Sequence, residues 1–317
     1  MAILTIPTDA ELAALAVAYD LGPLTSARGL HAGTVNTSYL LELGGKRFFL
    51  RIYEEQDLAG AAREAAVLAH LASRGVPTPA PIVGRDGAAT RTVAGKPAAV
   101  FPWIDGEILC QARMTPDAAH EAGKMLARVH RAGHAPGCVL DAGRFGPEPL
   151  VARCARVATS SDPDARVLAT DLAARVEDFA RRRRPAPTGL IHGDLFRDNV
   201  LWEDGFGHIA ALLDFESAHD GPFAYDLAVT ILSWSYGAVL DPAIARAIIA
   251  GYRTERELEP GDRAALYDEA IFASLRFTIT RITDDAIRVG KRWQRFVERR
   301  VALERLGEDG FLEMLGL

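Results

Sequence analysis

The chain has 317 residues, of which 49% are apolar and 25% charged, and its formal net charge is −6. This length exceeds what one ordinary core requires, so it predicts one large domain or two lobes that share a cleft. The negative charge argues against nucleic acid or an anionic membrane as the partner, because both surfaces repel an acidic protein.

Cysteine usage and the hydropathy pattern bear on where the protein works. The three cysteines are odd in number and lack the Cys-x-x-Cys spacing, so we expect neither a disulfide framework nor a zinc site. Residues 1–21 contain three acidic side chains and no basic start, which predicts no secretory signal. The uncharged segment 227–240 is shorter than the roughly 18 residues that span a bilayer, so it predicts a buried helix. A cytoplasmic protein fits these features.

The first third of the chain reads as a helix followed by strands. We predict a helix over residues 8–19 and a β-hairpin over residues 37–53, with a Gly-Gly turn at positions 44 and 45. A helical stripe of apolar residues follows at 61–74, and a second hairpin is predicted over residues 91–103. Arg51 is expected to project from the face of its strand opposite to its apolar neighbours.

The remainder of the chain is predominantly helical in pattern. Thr115 has the character of a helix N-cap and Pro116 that of a first helical residue. Further helices are predicted over residues 165–183, 224–234, 242–253 and 264–287. This change of pattern places a boundary near residue 105, with one lobe at 1–104 and the other at 105–317. The fold class is therefore α+β.

One segment interrupts the helical half and carries candidate chemistry. Residues 192–199 read His-Gly-Asp-Leu-Phe-Arg-Asp-Asn, and two apolar runs around a turn at 203–205 then lead to Asp214. If the two runs pair as a hairpin, Asn199 lies beside Leu212, within a residue or two of Asp214. Each of these residue types is common in turns, so the joint spacing carries the prediction.

These residue types suit phosphoryl transfer. The reaction requires in-line positioning, a metal ion that neutralises phosphate charge, and a carboxylate that accepts the proton of the alcohol. Magnesium prefers hard oxygen ligands, which Asn199 and Asp214 can supply. Asp194 remains available as the catalytic base, and His192 is expected to be a buried hydrogen-bonding strut of the loop.

The motif His-Gly-Asp-x-x-x-x-Asn followed by Asp-Phe-Glu resembles that of the aminoglycoside phosphotransferase and choline kinase superfamily. The resemblance implies a two-lobed protein-kinase-like fold, with an N-terminal nucleotide-binding lobe of antiparallel sheet plus one main helix and a mostly helical catalytic lobe. It implies ATP and Mg²⁺ as cofactors. It also implies that Asp194, Asn199 and Asp214 form the catalytic set, with Asn199 and Asp214 as metal ligands.

The same resemblance implies nucleotide contacts in the N-terminal lobe. A strand Lys or Arg of the superfamily touches the ATP phosphates and pairs with a helix Glu, and Arg51 and Glu64 occupy those positions. The alternative for this pair is a surface ion pair of little energetic consequence. The other implied contacts are Asn36, in a phosphate-covering turn at 31–36, and Phe101, Trp103 and Ile104 in the hinge. The chain contains neither Gly-x-Gly-x-x-Gly nor a Walker sequence.

A closer resemblance, from residue 36 to the C-terminal helices, is to type II homoserine kinases. The segments that carry it are 51–54, 70–77, 95–99, 194–199, 225–228, 251–253 and 275–277. The chain departs from that group at three positions. The group commonly has Ala at the position of Gly193, Thr at that of Arg51 and an aromatic residue at that of Glu216, and each difference favours the wider superfamily.

The resemblance implies phosphorylation of homoserine to O-phosphohomoserine, a step of threonine biosynthesis. Homoserine carries a carboxylate, an ammonium and a hydroxyl group, so its site needs a cation, an anion and the base. We favour Arg276 for the carboxylate, with a structural ion pair as the alternative. Candidates for the ammonium are Asp198, Glu216 and Asp220, which sequence does not rank. Asp226 is expected to tie the catalytic loop to the next helix.

Two other functions stay open at this point. One is a kinase for another small alcohol, such as choline, ethanolamine, a sugar or an aminoglycoside. A polycationic aminoglycoside favours an acidic site without arginines, so the position of Arg276 discriminates between them. The other is a non-catalytic nucleotide-binding module, against which the intact Asp194, Asn199 and Asp214 argue. In each enzymatic case the partner is a small molecule with a hydroxyl group.

Overall fold

The computed structural model describes residues 3–31, 35–138, 140, 143–284 and 293–317. Its helices and strands are, in chain order, α1 (Asp9–Ala18), β1 (Leu24–Leu30), β2 (Thr37–Leu43), β3 (Lys46–Ile52), α2 (Leu58–Ser73), β4 (Thr90–Val93), β5 (Lys96–Pro102), β6 (Glu107–Ile108), α3 (Pro116–Ala132), α4 (Pro147–Ala158), α5 (Pro163–Arg166), α6 (Ala169–Arg182), β7 (Thr188–Ile191), β8 (Val200–Trp202), β9 (Ile209–Leu212), β10 (His219–Pro222), α7 (Phe223–Ser235), α8 (Pro242–Arg253), α9 (Pro260–Thr283) and α10 (Gln294–Leu315).

The chain divides into two compact units. Unit 1 comprises Met1–Gly106, His134–Val139 and Ala210–Leu213, and unit 2 comprises Glu107–Gly133, Leu140–Ile209 and Asp214–Leu317. The short insertion 210–213 is bound to unit 1 by the Leu212 N–H, which donates to the Pro77 carbonyl at 2.7 Å. The assignment of nucleotide binding to 1–104 and of catalysis to 105–317 stays a prediction.

Unit 1 contains an antiparallel five-stranded sheet with the order β1-β2-β3-β5-β4. Both predicted hairpins are present. Gly44 and Gly45 connect β2 to β3 with φ of 55° and 78°, a left-handed conformation that glycine adopts at low cost. Strand β1, which sequence did not predict, adds a mostly exposed edge to the sheet.

The core of unit 1 lies between this sheet and α1. Leu41, Leu50 and Ile52 are fully buried and join Leu12 and Leu15 of the helix in one apolar cluster. Each buried Leu or Ile stabilises the fold by about 1.5–3 kcal/mol. Thr8 and Glu11 form a capping box at the start of α1. The helix thus begins near residue 8, where the sequence predicted its start.

Unit 2 is mainly helical. Helix α7 is buried along nearly its whole length, which confirms the buried helix predicted over 227–240 as far as Ser235. Residues 236–240 lie beyond the helix, and Val239 is exposed, so the prediction was wrong there. Helix α8 has the predicted bounds. Strands β7 and β10 pair antiparallel, and so do β6 and β8. In the described part of the chain, no helix is both long and apolar enough to cross a membrane.

Two further helical predictions need correction. The helix predicted over 165–183 is two helices, because the Leu168 N–H donates to the Ala165 carbonyl in a tight turn that ends α5 before α6 begins. Helix α9 begins at Pro260 rather than at residue 264, with Glu259 and Asp262 in a capping box. The predicted end at 287 lies outside the described residues. Helices α4 and α10 were not predicted.

Candidate active site

The catalytic loop begins where β7 ends. Gly193 has φ of 76°, and a Cβ atom at this position would lie 2.8 Å from the Ser217 carbonyl oxygen. Both facts disfavour any side chain here, since a left-handed conformation costs an L residue about 1–2 kcal/mol and the neighbour is rigid backbone. The sharp turn at Gly193 therefore requires glycine, although type II homoserine kinases commonly have Ala there.

Asp226, in the first turn of α7, holds the start of the loop. Its Oδ2 accepts the His192 N–H at 2.7 Å, and its Oδ1 accepts the Gly193 N–H at 2.8 Å. The carboxylate is fully buried. Burial alone would raise its pKa, but the hydrogen bonds from His130 and from the loop hold the pKa of Asp226 below its usual range. The predicted scaffold role of Asp226 is confirmed.

A buried chain of hydrogen bonds supports Asp226 from behind. His130 of α3 contacts Asp226 through Nε2 at 3.0 Å and the Tyr252 hydroxyl through Nδ1 at 2.7 Å. Arg256 donates to that hydroxyl at 3.1 Å, so the hydroxyl proton is available to His130 Nδ1. Nδ1 then accepts and Nε2–H donates to Asp226. Burial lowers the pKa of His130, in agreement with a neutral ring.

Sequence reasoning missed His130 and Tyr252. His130 lies on the apolar face of α3, four residues after Leu126, where an apolar residue is expected. A buried histidine needs hydrogen-bond partners for both ring nitrogens. A histidine at an apolar position of the predicted helix was therefore the sequence feature that could have indicated a buried polar contact. Tyr252 lies 122 residues away along the chain, so its pairing with His130 had no local signature.

Asp194 and Asn199 lie together in the loop. Asp194 is partly accessible, with 26% of its side chain exposed, and its N–H donates to His192 Nδ1 at 3.3 Å. His192 is fully buried, as the predicted strut role requires. The Asn199 amide donates from Nδ2 to the Asp194 carbonyl at 2.8 Å. This bond fixes the orientation of the amide and leaves Oδ1 to act as an acceptor.

Asp214 follows β9 in a left-handed conformation, with φ of 62° and ψ of 61°. Such a conformation is uncommon for a residue other than glycine and is often found at functional sites. The next residue, Phe215, is buried and its ring lies 4.4 Å from that of His192. The Asp214 segment is thereby attached to the catalytic loop.

The donor set around the loop suits a hard cation. Among the described residues, no group of three or more His, Cys, Asp or Glu side chains could hold a metal ion. The predicted pair of Asn199 and Asp214 offers one amide and one carboxylate oxygen instead. This fits magnesium, which usually keeps several waters and binds substrate phosphates in addition to one or two protein ligands.

Arg276 of α9 contacts the candidate base directly. Its Nη1 donates to Asp194 Oδ1 at 3.1 Å, and its side chain is 4% exposed. The guanidinium lies over the rings of Phe145 and Phe277, at 4.2 and 3.8 Å from their centroids. Burial lowers the pKa of Arg276, and Tyr225 and Asp194 oppose that effect. Of the two predicted roles, the ion pair is present, and its partner is Asp194, the predicted base.

The three candidates for the acceptor ammonium differ in surroundings. Glu216 lies 4.0 Å from Arg144, whose guanidinium stacks on the same Phe145 ring that contacts Arg276. Asp198 and Asp220 are exposed. Glu216 is therefore the candidate that shares a neighbourhood with Arg276. Phe145 itself was missed, because it lies outside every predicted element.

The residues implied for nucleotide contacts belong to unit 1. Arg51 of β3 donates from Nη1 to Glu64 Oε1 of α2 at 2.8 Å, and Glu64 is 3% exposed. This pair is buried and not the surface pair considered as the alternative. The neighbours Phe101, Trp103 and Ile104 lie in β5 and just beyond it. The Asn36 amide oxygen accepts the Glu54 N–H at 3.2 Å, and residues 32–34 of the predicted phosphate-covering turn lie outside the described residues.

Comparison with known proteins agrees with this geometry. Residues 26–264 match the phosphotransferase enzyme family. A homoserine kinase of Gluconacetobacter diazotrophicus is 35% identical over 292 residues, which cover 90% of this chain and 89% of the relative. A homoserine kinase of Caulobacter sp. is 37% identical over 295 residues, with 90% and 89% covered.

Solved structures share the fold at low sequence identity. An amicoumacin kinase in complex with AMP-PNP, Ca²⁺ and Ami has a TM-score of 0.71 and 16% identity, with 94% of this chain and 92% of that chain covered. A microcompartment-associated aminopropanol kinase has a TM-score of 0.66 and 20% identity, with 97% and 98% covered. The predicted α+β, protein-kinase-like fold is confirmed.

The chain belongs to the phosphotransferase enzyme family. It is an enzyme that transfers a phosphoryl group to the hydroxyl group of a small molecule. Among the members of that family it is similar to homoserine kinases over nine-tenths of its length.

Proposed function

We propose that this enzyme is a homoserine kinase, which uses ATP and magnesium to convert homoserine to O-phosphohomoserine. The observation that carries the proposal is the Arg276 guanidinium, which lies 3.1 Å from Asp194. When the hydroxyl group of an acceptor contacts Asp194, the Arg276 guanidinium lies close enough to bind a carboxylate of the same acceptor. The homoserine kinase relatives support the acceptor, and the AMP-PNP and Ca²⁺ bound to the amicoumacin kinase support a nucleoside triphosphate and a divalent metal.

Each residue has a role in this reaction. Asp194 accepts the proton of the acceptor hydroxyl while that oxygen bonds to the γ-phosphorus of ATP and the bond to the β,γ-bridging oxygen breaks, which releases ADP. Asn199 and Asp214 would hold magnesium, which when bound neutralises the charge of the triphosphate. Glu216 is the preferred partner for the ammonium. We assign acceptor binding and catalysis to 105–317.

Nucleotide binding is assigned to 1–104. Arg51, held by Glu64, is proposed to contact the phosphates, because a buried guanidinium is a strong donor to phosphate oxygens. Asn36 is proposed to support the phosphate-covering turn, and Phe101, Trp103 and Ile104 to bind the adenine. All three cysteines are free, which supports a cytoplasmic location, since thiols stay reduced there.

The runner-up is a kinase of another small alcohol. A polycationic aminoglycoside is disfavoured, because Arg276 would repel it at the catalytic carboxylate. An amino alcohol remains the nearest competitor, since an aminopropanol kinase shares the fold. A non-catalytic module is disfavoured, because Asp194, Asn199 and Asp214 are all present.

The test is an acceptor panel. The purified enzyme would be incubated with ATP, Mg²⁺ and each of homoserine, ethanolamine, choline, a hexose and kanamycin, and ADP release would be measured. The product would be identified by ³¹P NMR and mass spectrometry. We expect the highest kcat/KM for homoserine and a phosphomonoester on its hydroxyl. A higher kcat/KM for any other acceptor in the panel would reject the proposed substrate.

A further inference from the structure

Arg276 has an unused hydrogen-bonding edge. Its Nη1 bonds to Asp194, whereas its Nε is buried and has no hydrogen-bond partner among the residues that the structure describes. A guanidinium presents five N–H donors in a planar fork, and Nε together with Nη2 forms the edge that binds a carboxylate with two parallel bonds. A buried donor without a partner costs about 1–3 kcal/mol. An acceptor group that binds this edge would recover that cost.

A second arginine shows how a completed pair looks in the same fold. Arg183 bonds to Glu269 of α9 through Nε at 2.8 Å and through Nη2 at 3.2 Å. Its guanidinium also lies over two rings, those of Phe179 and Phe272. Glu269 is 1% exposed, so its carboxylate is closed to solvent, whereas 31% of the Arg183 side chain is exposed. In Arg183, therefore, Glu269 occupies the edge formed by Nε and Nη2. In Arg276 the Nε of that edge has no hydrogen-bond partner among the described residues.

Asp194, the partner of Arg276, differs from Glu269 in its bonding and in its exposure. Asp194 takes only one bond from the guanidinium, and 26% of its side chain is exposed. Arg281 and Arg144 both lower the pKa of Arg276, so further positive charge lies near this guanidinium. An anionic group that binds Arg276 would be favoured by that charge.

We propose that Arg276 bridges the catalytic carboxylate and the carboxylate of the acceptor. One end of its guanidinium orients Asp194, and the Nε edge binds the acceptor carboxylate. This inference rests on the proposed function and deepens it. Because one rigid side chain positions both groups, it fixes the spacing between the hydroxyl and the carboxylate of the acceptor. Arg276 is thus the residue that selects short hydroxy acids over amino alcohols.

Two analogues separate the groups of homoserine. 3-Aminopropan-1-ol lacks the carboxylate and keeps the ammonium, whereas 4-hydroxybutanoate keeps the carboxylate and lacks the ammonium. We would measure kcat and KM for homoserine and both analogues in the wild type, Arg276→Met, Arg276→Lys and the matched control Arg183→Met. Circular dichroism and the Kd for AMP-PNP would report on the integrity of each variant.

The wild type is expected to prefer homoserine over 3-aminopropan-1-ol by about 10²-fold or more in kcat/KM, because the analogue leaves buried donors unpaired. In Arg276→Met this ratio falls to within about tenfold, and kcat falls for both acceptors because Asp194 loses its orienting bond. Arg276→Lys gives an intermediate ratio, since it keeps the charge but not the fork. The preference for homoserine over 4-hydroxybutanoate stays unchanged, and Arg183→Met keeps the wild-type ratios.

An unchanged ratio of homoserine to 3-aminopropan-1-ol in Arg276→Met would overturn the proposal. If that variant does not fold, the wild-type ratio and Arg276→Lys decide, and a wild type that uses both acceptors equally overturns it as well. Turnover of 4-hydroxybutanoate but not homoserine, lost in the Arg276 variants, would reject homoserine as the substrate and still support the bridge.

Discussion

The buried link between Asp226 and α3 predicts a graded loss of stability. In His130→Leu, Asp226 loses a hydrogen bond to a charged group, worth about 1.5–3 kcal/mol, and the Tyr252 hydroxyl loses its acceptor, worth about 1 kcal/mol. We expect the free energy of unfolding to fall by about 2.5–4 kcal/mol, measured by equilibrium denaturation in urea. Tyr252→Phe keeps the bond between His130 and Asp226 and removes only the bonds of the hydroxyl to His130 and Arg256, so it should cost about 1–2 kcal/mol.

The same variant should also change catalysis and the pH dependence of stability. The backbone N–H groups of His192 and Gly193 donate to Asp226, so a displaced Asp226 would shift the loop that carries Asp194. In His130→Leu, kcat should therefore fall while the Kd for AMP-PNP stays near the wild-type value. Burial holds the pKa of His130 below its unfolded value of 6.5. As the pH falls below 6.5, the unfolded chain therefore binds a proton that the folded chain does not, and stability falls.

His130→Leu should remove that slope, whereas His208→Gln, at an exposed position, should leave it unchanged. The reasoning is refuted if His130→Leu costs less than about 1 kcal/mol, or no more than Tyr252→Phe. It is also refuted if the stability of the wild type and of His130→Leu depends on pH in the same way between pH 5 and pH 7.

Two further predictions concern the loop and unit 1. Gly193→Ala should lower the free energy of unfolding by about 1–2 kcal/mol and reduce kcat, because alanine disfavours a φ of 76° and its Cβ would meet the Ser217 carbonyl; unchanged denaturation and kinetics would contradict this. Burial raises the pKa of Glu54, but its hydrogen bonds lower that pKa by more, so it lies below 4.5. The largest lowering effect is the hydrogen bond from Lys96. The contribution of Glu54 to stability is present above pH 4.5 and is lost as the pH falls through the lower folded value. In Glu54→Gln, the free energy of unfolding should therefore decrease less steeply than in the wild type as the pH falls below 4.5. An equally steep decrease in both proteins would show that Glu54 does not contribute.

Local signals in the sequence predicted much of the fold. The glycine pair between β2 and β3 and the Asp241 cap before Pro242 of α8 each act within a few residues, so their elements are where the pattern placed them. Strand β1 was missed because most of its side chains are exposed, which leaves no alternation of apolar residues. Helix α4 was missed although Pro147 stands at its first position, a common start signal; no side-chain hydrogen bond caps it.

The site was predictable where its residues share one segment and not where they meet across the chain. Asp194 and Asn199 lie five residues apart, and their spacing predicted that they belong to one site; the structure adds the hydrogen bond that joins them. Arg276 lies 82 residues from Asp194, and His130 lies 96 residues from Asp226. Such pairings follow from how α3, α7 and α9 pack, and helix packing has no code in local sequence.

The central claim is that Asp194 is the base of a phosphoryl transfer. It is tested most directly by a single-turnover rapid-quench measurement with γ-labelled ATP and homoserine, in the wild type and in Asp194→Asn. The substitution keeps the size of the side chain and an oxygen that can accept from Arg276. The account predicts that the rate of transfer falls by about 10²–10⁴-fold while the Kd for AMP-PNP is unchanged. Transfer at the wild-type rate in Asp194→Asn would contradict it.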